Sequence, residues 1–423
     1  MQDKTVMSHL KTLFGPTSFL FLTTIIINAG NYGLNLLLAR WLGPAGFAEA
    51  NLLSTLVMLM SFIAMGLQLT ITKLSVEGQK GMVKHVAKQA NIFSWILVGL
   101  LLLYSPFIAN YFNLEHPVSI IILVVGIPAY IKLSITRGVY QGTDKFYSLG
   151  RTYFIEMTVR LFSTVLLLVF LKQLGLGSVA VSIGFLLSFI VATILHRLEL
   201  EGREDHKEHP GGVKPVLTFL GMMMFYELSQ IFINNSDVIL VMHYFDAHYA
   251  GLYASLAILG RAVFFATWSV VTVLFPKVIE CEKSGGDSTQ LFVSALGKVA
   301  GIGVVMVIGA WFFGPTVMSL AFGEAYLEVS EYLWLYALVT TLFACANVFV
   351  YYNLSLENYL PVFLSCLAGV LQVVLIYIWH NNFFQVICCQ LAAISTLFVS
   401  LLVNQYLVSI NTCKVQSALS FNS

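Results

Sequence analysis

The sequence predicts an all-α polytopic membrane protein of about twelve transmembrane helices. Hydrophobic residues make up 58% of the 423 residues and charged residues 10%, whereas soluble globular proteins average about 45–50% and about 25%. Apolar runs of the roughly 20 residues needed to cross a bilayer core follow one another along nearly the whole chain. The net charge of +1 also excludes a broad basic surface for nucleic acid. These observations exclude a soluble domain.

Apolar stretches bounded by charged residues, glycine and proline define the individual spans. Runs such as residues 161–171 are apolar on every side, unlike the alternating strands of a membrane β-barrel. The twelve predicted spans are residues 18–39, 51–72, 90–111, 118–139, 152–171, 178–196, 216–242, 249–275, 291–313, 332–352, 360–379 and 384–408.

The distribution of lysine and arginine predicts the orientation of these spans. Sixteen lysine and arginine residues lie at the termini and in the even-numbered connections, whereas the odd-numbered connections contain only Arg40 and Lys172. Basic residues favour the cytoplasmic side. The bias predicts that both termini are cytoplasmic, which agrees with an even number of spans.

A polar segment divides the chain into two similar halves. It predicts an N-terminal six-helix lobe over residues 1–197, a cytoplasmic linker over 198–215 and a C-terminal six-helix lobe over 216–423. Residues 45–47 (AGF) recur as residues 250–252 (AGL), at an offset of about 205. Because both halves begin in the cytoplasm, we expect a parallel, pseudosymmetric repeat, which is typical of transporters.

Polar residues form a stripe on the first span of each half. At about 100° per residue, Thr24, Asn28, Asn31 and Asn35 share one face, as do Glu227, Gln230, Asn234 and Asp237 on the seventh span. Lipid-facing polar groups are costly. The stripes therefore indicate either packing contacts between helices or a shared water-filled cleft, and two stripes in equivalent helices favour the cleft.

Several ionisable residues fall inside the spans and have alternative interpretations. Glu156 and Arg160 are four residues apart on one helix face, which predicts an internal ion pair. Arg261 has either Asp237 or a ligand as its partner. Lys132 and Lys298 lie nearer the cytoplasmic ends, where they bind a ligand or extend to the membrane surface.

Catalytic and metal-binding patterns are absent from the sequence. It contains no GxSxG, HExxH or phosphate-binding GKS/GKT segment, so neither an ATP-driven pump nor a standard hydrolase is indicated. The longest predicted outer connection, residues 314–331, is short for a membrane glycan polymerase. Its glutamates Glu324, Glu328 and Glu331 are expected to form a solvated face.

The segment after the first span carries a family resemblance. Residues 39–47 (ARWLGPAGF) resemble the LGP-x-x-[FY] turn of bacterial polysaccharide repeat-unit flippases of the Wzx type. The second half is similar in residues 235–237 (NSD), 250–254 (AGLYA) and 275–277 (FPK). These flippases belong to the larger MOP group, with the MATE-type multidrug antiporters and the peptidoglycan lipid flippases. The latter usually have fourteen spans, and twelve here argue against that branch.

The resemblance implies a MATE-like fold and alternating access by two lobes around a cationic cleft in the bacterial inner membrane. The implied cargo is an undecaprenyl-diphosphate-linked oligosaccharide, an O-antigen or related repeat unit, which crosses to the periplasmic leaflet while its lipid tail stays in the bilayer. Membrane lipids, a polysaccharide polymerase and a chain-length regulator are the implied partners. The candidates for the phosphates are Arg40, Lys132, Arg160, Arg261 and Lys298, and those for the sugar hydroxyls are Asn28, Asn31, Asn35, Gln230 and Asn234.

No cofactor is expected other than H⁺ or Na⁺ as a coupling ion, with Glu227 or Asp237 as the switch. The main alternative is a MATE-type antiporter for cationic drugs, which should prefer an acidic cleft. Four basic residues lie within the spans (Lys132, Arg160, Arg261 and Lys298) against three acidic ones (Glu156, Glu227 and Asp237). This small excess of basic over acidic residues slightly favours an anionic cargo.

Overall fold

The computed structural model describes residues 16–196 and 213–420, apart from residues 265, 268, 269, 271–273, 275, 276, 279, 280, 282–285 and 357. All regular elements in these ranges are helices. Nine helical segments among the described residues are long and apolar enough to cross a membrane. The chain is therefore a multi-pass membrane protein, in which helices satisfy the backbone hydrogen bonds that lipid cannot.

The N-terminal unit extends to Leu228. Within it, α1 packs against α4, α5 and α6, while α5 and α6 form the most extensive helix pair. A single residue, Gly126, separates α3 from α4 within one span. The helices are α1 (Pro16–Val76), α2 (Lys80–Tyr111), α3 (Val118–Val125), α4 (Ile127–Gly142), α5 (Phe146–Leu171) and α6 (Gly177–Leu195).

The C-terminal unit begins at Ser229, inside α7. Helix α10 is the central helix of this unit. In the span Glu324–Ser355, which includes α10, 83% of the most apolar stretch is buried. Helix α10 also packs against α8, α9, α11 and α12. The helices are α7 (Val213–Tyr244), α8 (Ala247–Gly260), α9 (Thr289–Ala321), α10 (Leu333–Ser355), α11 (Leu360–Ile378) and α12 (Phe383–Ser420).

Most helices agree with the predicted spans, but α8 ends at Gly260, before the end of the predicted span 249–275, of which several later residues lie outside the described part of the chain. Residues 40–50 were expected to form a turn, and α1 consists of two helical segments that meet at a kink there, where the backbone of Gly43 is not helical (φ 69°, ψ 177°). Glycine adopts this positive φ without a steric penalty, and Pro44 then fits the first turn of the next helical segment. Phe47 is fully buried there, so this segment is part of the core and not an exposed loop.

The predicted outer connection over residues 314–331 is also shorter than expected. Helix α9 continues to Ala321, and a 3-10 helix follows over Glu324–Tyr332. Tyr326 and Val329 of this 3-10 helix are buried. Its three glutamates, Glu324, Glu328 and Glu331, are exposed, which confirms the expected solvated face. The predicted linker lies largely outside the described residues, so the predicted lobe boundaries stay a prediction.

The close approach of α1 and α4 depends on glycine at position 138. A Cβ atom added to Gly138 would lie 2.6 Å from the carbonyl oxygen of Gln68 and 2.8 Å from Cβ of Ile71. We expect Gly138→Ala to lower stability by about 1–3 kcal/mol, because α1 and α4 must separate. The thermal unfolding midpoint of the detergent-solubilised protein measures this loss.

Gly99→Ala in α2 is the matched control, because nothing lies within 4 Å of its added Cβ. Alanine favours a helix over glycine by up to about 1 kcal/mol, so this variant should be at least as stable as the parent. Equal midpoints for the two variants would show that α1 and α4 are not in close contact at Gly138.

Candidate functional site

A group of three charged side chains, two buried and one half-buried, joins α4 to α5 in the N-terminal unit. We call Arg137, Glu156 and Arg160 the N-unit cluster. The two carboxylate oxygens of Glu156 accept hydrogen bonds from different arginines, one from Nη2 of Arg137 at 2.5 Å and the other from Nη2 of Arg160. The side chains of the three residues are only 4%, 10% and 14% exposed, respectively. The cluster therefore combines a buried pair of opposite charges, Arg137 and Glu156, with the half-buried positive charge of Arg160.

Local structure fixes the position of Arg137. Its Nε donates to Oγ1 of Thr152 at 3.0 Å, and that hydroxyl in turn donates to the carbonyl of Leu149. The guanidinium carbon also lies 3.7 Å from the centre of the Tyr153 ring, a cation–π contact that is stronger away from water. The hydroxyl of Tyr153 donates to Oε1 of Gln68 on α1. Arg137 is therefore held from several sides.

Arg160 is bound less completely than Arg137. Its Nη1 donates to Oδ1 of Asn31 on α1 at a long 3.4 Å, and its guanidinium carbon lies 4.5 Å from the centre of the Phe185 ring on α6. Its Nε is buried and has no hydrogen-bond partner among the described residues. A buried donor without a partner is costly, so Arg160 retains capacity for an acceptor such as a phosphate oxygen.

A second buried group lies in the C-terminal unit. We call Asn235, Asp237, Tyr253, Arg261 and Tyr336 the C-unit cluster. Oδ1 of Asp237 accepts from Nη2 of Arg261 at 3.3 Å, and Nη1 of Arg261 also donates to Oδ1 of Asn235 at 3.1 Å. Oδ2 of Asp237 accepts from the hydroxyls of Tyr253 at 3.1 Å and Tyr336 at 2.7 Å. The formal charges cancel, so this cluster carries no net charge.

The structure brings several of the predicted residues together. The ion pair of Glu156 with Arg160 and that of Asp237 with Arg261 are both present. Asn31 contacts Arg160, and Nδ2 of Asn35 donates to the carbonyl of Asn31 at 2.9 Å.

Other candidates lie outside the two clusters. Nδ2 of Asn234 donates to the carbonyl of Gln230 at 2.8 Å, so these two half-buried residues contact each other. The side chain of Glu227 lies outside the described residues. The side chains at four further positions are exposed, namely those of Asn28, Arg40, Lys132 and Lys298. A substrate or coupling role for any of these residues stays a prediction.

Arg137 was not predicted as a site residue, although it is 3% exposed in the structure. The signal that could have found it is its position inside the predicted span 118–139, because a charged residue within a span needs a partner. The bonds from Tyr253 and Tyr336 to Asp237 were also not anticipated. Their hydroxyls come from two other helices, the adjacent α8 and the more distant α10, so no pattern within one helix predicts the contact.

The fold of the chain is similar to that of transporters of the MOP superfamily. The structure aligns with an inward-facing multidrug resistance MATE family transporter of that superfamily with a TM-score of 0.72 at 14% identity, covering 92% of this chain and 96% of the other. It aligns with the inward closed lipid II flippase MurJ with a TM-score of 0.75 at 14% identity, covering 92% and 87%. At these identities the likeness shows the fold alone.

The sequence itself defines the family. The profile of the family described as polysaccharide biosynthesis protein matches residues 37–331, which is more than half of the chain. The chain therefore belongs to this family of polysaccharide biosynthesis proteins. No curated protein sequence matches it significantly.

Proposed function

We propose that this chain is a flippase for an undecaprenyl-diphosphate-linked oligosaccharide, an O-antigen or related polysaccharide repeat unit. It moves this lipid from the cytoplasmic to the periplasmic leaflet of the bacterial inner membrane by alternating access, with both termini cytoplasmic. The N-unit cluster is the observation that carries the proposal, because it holds two arginines against one glutamate in side chains that are at most 14% exposed. The family's role in polysaccharide biosynthesis indicates the class of cargo.

The N-unit cluster can replace the hydrogen bonds that a diphosphate loses when it leaves water. A phosphate oxygen needs strong donors at membrane depth, and the planar guanidinium group matches phosphate geometry. Arg160 binds the diphosphate through its unpaired Nε, and Glu156 keeps both arginines positioned while the site is empty. Because Glu156 already neutralises part of the positive charge of the two arginines, binding stays weak enough for release.

Amide side chains next to the cluster suit the sugar part of the cargo. Asn31 of α1 contacts Arg160, and Asn35 lies one helical turn further along α1, where it donates to the carbonyl of Asn31. Amides both donate to and accept from hydroxyl groups. We propose further contacts with the sugars from Asn28, Gln230 and Asn234. Four more cations are proposed to contact the phosphates during transport, namely Arg40, Arg261, Lys132 and Lys298.

The membrane potential can drive this transport without ATP. A head group of charge about −2 that leaves a negative interior gains about 4.6 kcal/mol at about 100 mV. Coupling to H⁺ or Na⁺ entry adds to this drive, with Asp237 or Glu227 as the switch. A polysaccharide polymerase and a chain-length regulator act on the product, and both are partners in the proposal.

Deletion of the gene in its host tests the proposal. We expect loss of surface polysaccharide and accumulation of undecaprenyl-linked repeat units in the cytoplasmic leaflet. Complementation with Arg160→Gln should fail, whereas Arg151→Gln should restore the polysaccharide, since Arg151 is an exposed residue of the same helix. Normal polysaccharide in the deletion strain would overturn the proposal.

A cation antiporter is the second candidate, and the fully buried carboxylate of Asp237 is the observation that favours it. The pairing of Asp237 with Arg261 weakens this alternative, because the site offers a cation no net negative charge. The deletion strain separates the two functions. Increased sensitivity to cationic drugs with unchanged polysaccharide would establish the antiporter.

A further inference from the structure

We propose that Glu49 of α1 is a proton-binding residue that controls how firmly the connection between α2 and α3 is attached to the rest of the N-terminal unit. This 112–117 connection follows Tyr111 and precedes Val118, and the distribution of basic residues predicts that it lies on the outer side of the membrane. The inference rests on the proposed function, because it assigns the coupling proton a binding residue in the N-terminal unit.

Glu49 joins α1 to the 112–117 connection through one hydrogen bond. Its Oε1 accepts from the backbone N–H of Glu115 at 2.5 Å, and the side chain is 5% exposed. The connection has a second attachment at His116, whose Nε2 lies 3.0 Å from the carbonyl oxygen of Gly175, between α5 and α6. The 112–117 connection is therefore held to α1 by Glu49 and to the turn between α5 and α6 by His116.

Glu49 differs from the other buried carboxylates in its partner. Among the described residues, three acidic side chains are buried, those of Glu49, Glu156 and Asp237. Glu156 and Asp237 are paired with arginines, so a proton on either of them would leave positive charge uncompensated. Glu49 forms no ion pair within the described part of the chain, and its partner is a neutral N–H group. It can therefore bind a proton without separating a pair of charges.

Protonation weakens the contact of Glu49 without abolishing it. A charged carboxylate accepts a stronger hydrogen bond than a neutral carboxyl group does. When the other oxygen of Glu49 takes up a proton, Oε1 still accepts from the N–H of Glu115, but more weakly. A proton from the outer side therefore loosens the 112–117 connection, and loss of the proton restores the contact.

The other titratable side chains at this end of the unit do not replace Glu49. All but the half-buried His116 are exposed, and the set is Arg40, Tyr111, Glu115, His116 and Lys172. Exposed groups exchange protons with water whether or not the connection moves. In His116 the Nε2 atom remains a donor after protonation, so acid leaves its contact with Gly175 in place. Of the two attachments of the connection, acid thus weakens the one at Glu49.

Infrared spectroscopy of the purified full-length protein tests the proton site without any lipid. The C=O stretch of a protonated carboxyl lies at higher frequency when the group is shielded from water than when it is solvated. We expect a shielded carboxyl band to appear on acidification of the parent. Glu49→Gln should lose this band, whereas Glu328→Gln, which removes an exposed carboxylate, should retain it.

Amide hydrogen exchange in the parent tests the same contact without a variant. The N–H of Glu115 is protected by its bond to Glu49. Corrected for the intrinsic effect of pH on exchange, this protection should fall as the shielded carboxyl band appears. The measurement decides the matter if Glu49→Gln fails to fold, as judged by its unfolding midpoint.

Transport in vesicles with an imposed pH gradient tests the coupling. The membrane potential is held at zero with potassium and valinomycin, and the probe is an undecaprenyl-diphosphate-linked fluorescent sugar. If one proton enters for each lipid that leaves, each unit of the gradient should shift the distribution of the lipid between the leaflets by about tenfold. Glu49→Gln should show no shift, and Glu328→Gln should show that of the parent.

The outcomes separate this inference from the proposed function. A shielded carboxyl band that Glu49→Gln retains, or constant protection of the Glu115 amide, would overturn the proton site even if the parent moves the lipid. An equal response of Glu49→Gln and the parent to the pH gradient would overturn its role in coupling. Loss of the band in Glu49→Gln, together with a parent that moves no lipid, would keep the proton site and remove the proposed function instead.

Discussion

Glu156→Gln is expected to abolish transport and to lower stability by about 3–5 kcal/mol. The carboxylate is the shared partner of Arg137 and Arg160, and removal of one member of a buried ion pair leaves uncompensated charge. Here two positive charges would remain close together. The thermal unfolding midpoint of the detergent-solubilised protein measures the loss of stability.

An anionic lipid should partly reverse this loss. Because its phosphate takes the place of the missing carboxylate, undecaprenyl phosphate should raise the midpoint of Glu156→Gln more than that of the parent. Glu328→Gln removes the same charge from an exposed position and should change stability by less than about 0.5 kcal/mol. A Glu156→Gln variant that is as stable as the parent, or that the lipid does not stabilise, would contradict an anion-binding N-unit cluster.

Asp237→Asn is expected to destabilise the C-terminal unit by about 3–5 kcal/mol, because it leaves Arg261 without its buried counter-charge. The hydroxyls of Tyr253 and Tyr336 can still donate to the asparagine oxygen, so the loss comes mainly from the ion pair. Arg261→Met alone should destabilise to a similar degree. The double variant should recover most of the stability, because no charge is then buried unpaired.

The stable double variant also tests the proposed ion coupling. This variant also lacks Arg261, a proposed phosphate contact, so its transport should be slower than that of the parent. If Asp237 is the switch, the transport that remains should no longer depend on a proton or sodium gradient. Glu227→Gln should be measured beside it, because Glu227 is the other proposed coupling residue. Unchanged gradient dependence in a chain with both acidic residues neutralised would eliminate them as coupling sites and leave the C-unit cluster with a structural role.

Most of the fold follows from hydropathy, because hydrocarbon permits few alternatives to a helix of about 20 residues. Helices such as α6 and α11 therefore begin and end close to the predicted limits. The length of the turn inside α1 could not be predicted in this way. Gly43 and Pro44 are typical of a turn, but the break is confined to Gly43, and the helical segment that follows includes the fully buried Phe47.

In the two clusters, residue spacing predicts only the contacts that lie within one helix. The pair of Glu156 and Arg160 lies within one helix turn, so its spacing alone predicts it. Arg137 reaches Glu156 from a different helix and is held by Thr152 and Tyr153. Such contacts depend on the packing of α4 against α5, which residue spacing does not encode. The same reason applies to the tyrosines that bind Asp237.

Transport in reconstituted vesicles is the most direct test of the proposed flippase. The purified chain is reconstituted with an undecaprenyl-diphosphate-linked fluorescent sugar, and an impermeant quencher reports which leaflet holds the lipid. The parent and Arg151→Gln should move the lipid, and faster when the starting side is electrically negative. Arg160→Gln should be slower by about tenfold or more, because a hydrogen bond to a charged group is worth about 1.5–3 kcal/mol. Equal rates for Arg160→Gln and the parent would contradict phosphate recognition by the N-unit cluster, and no movement by the parent would contradict the flippase function itself.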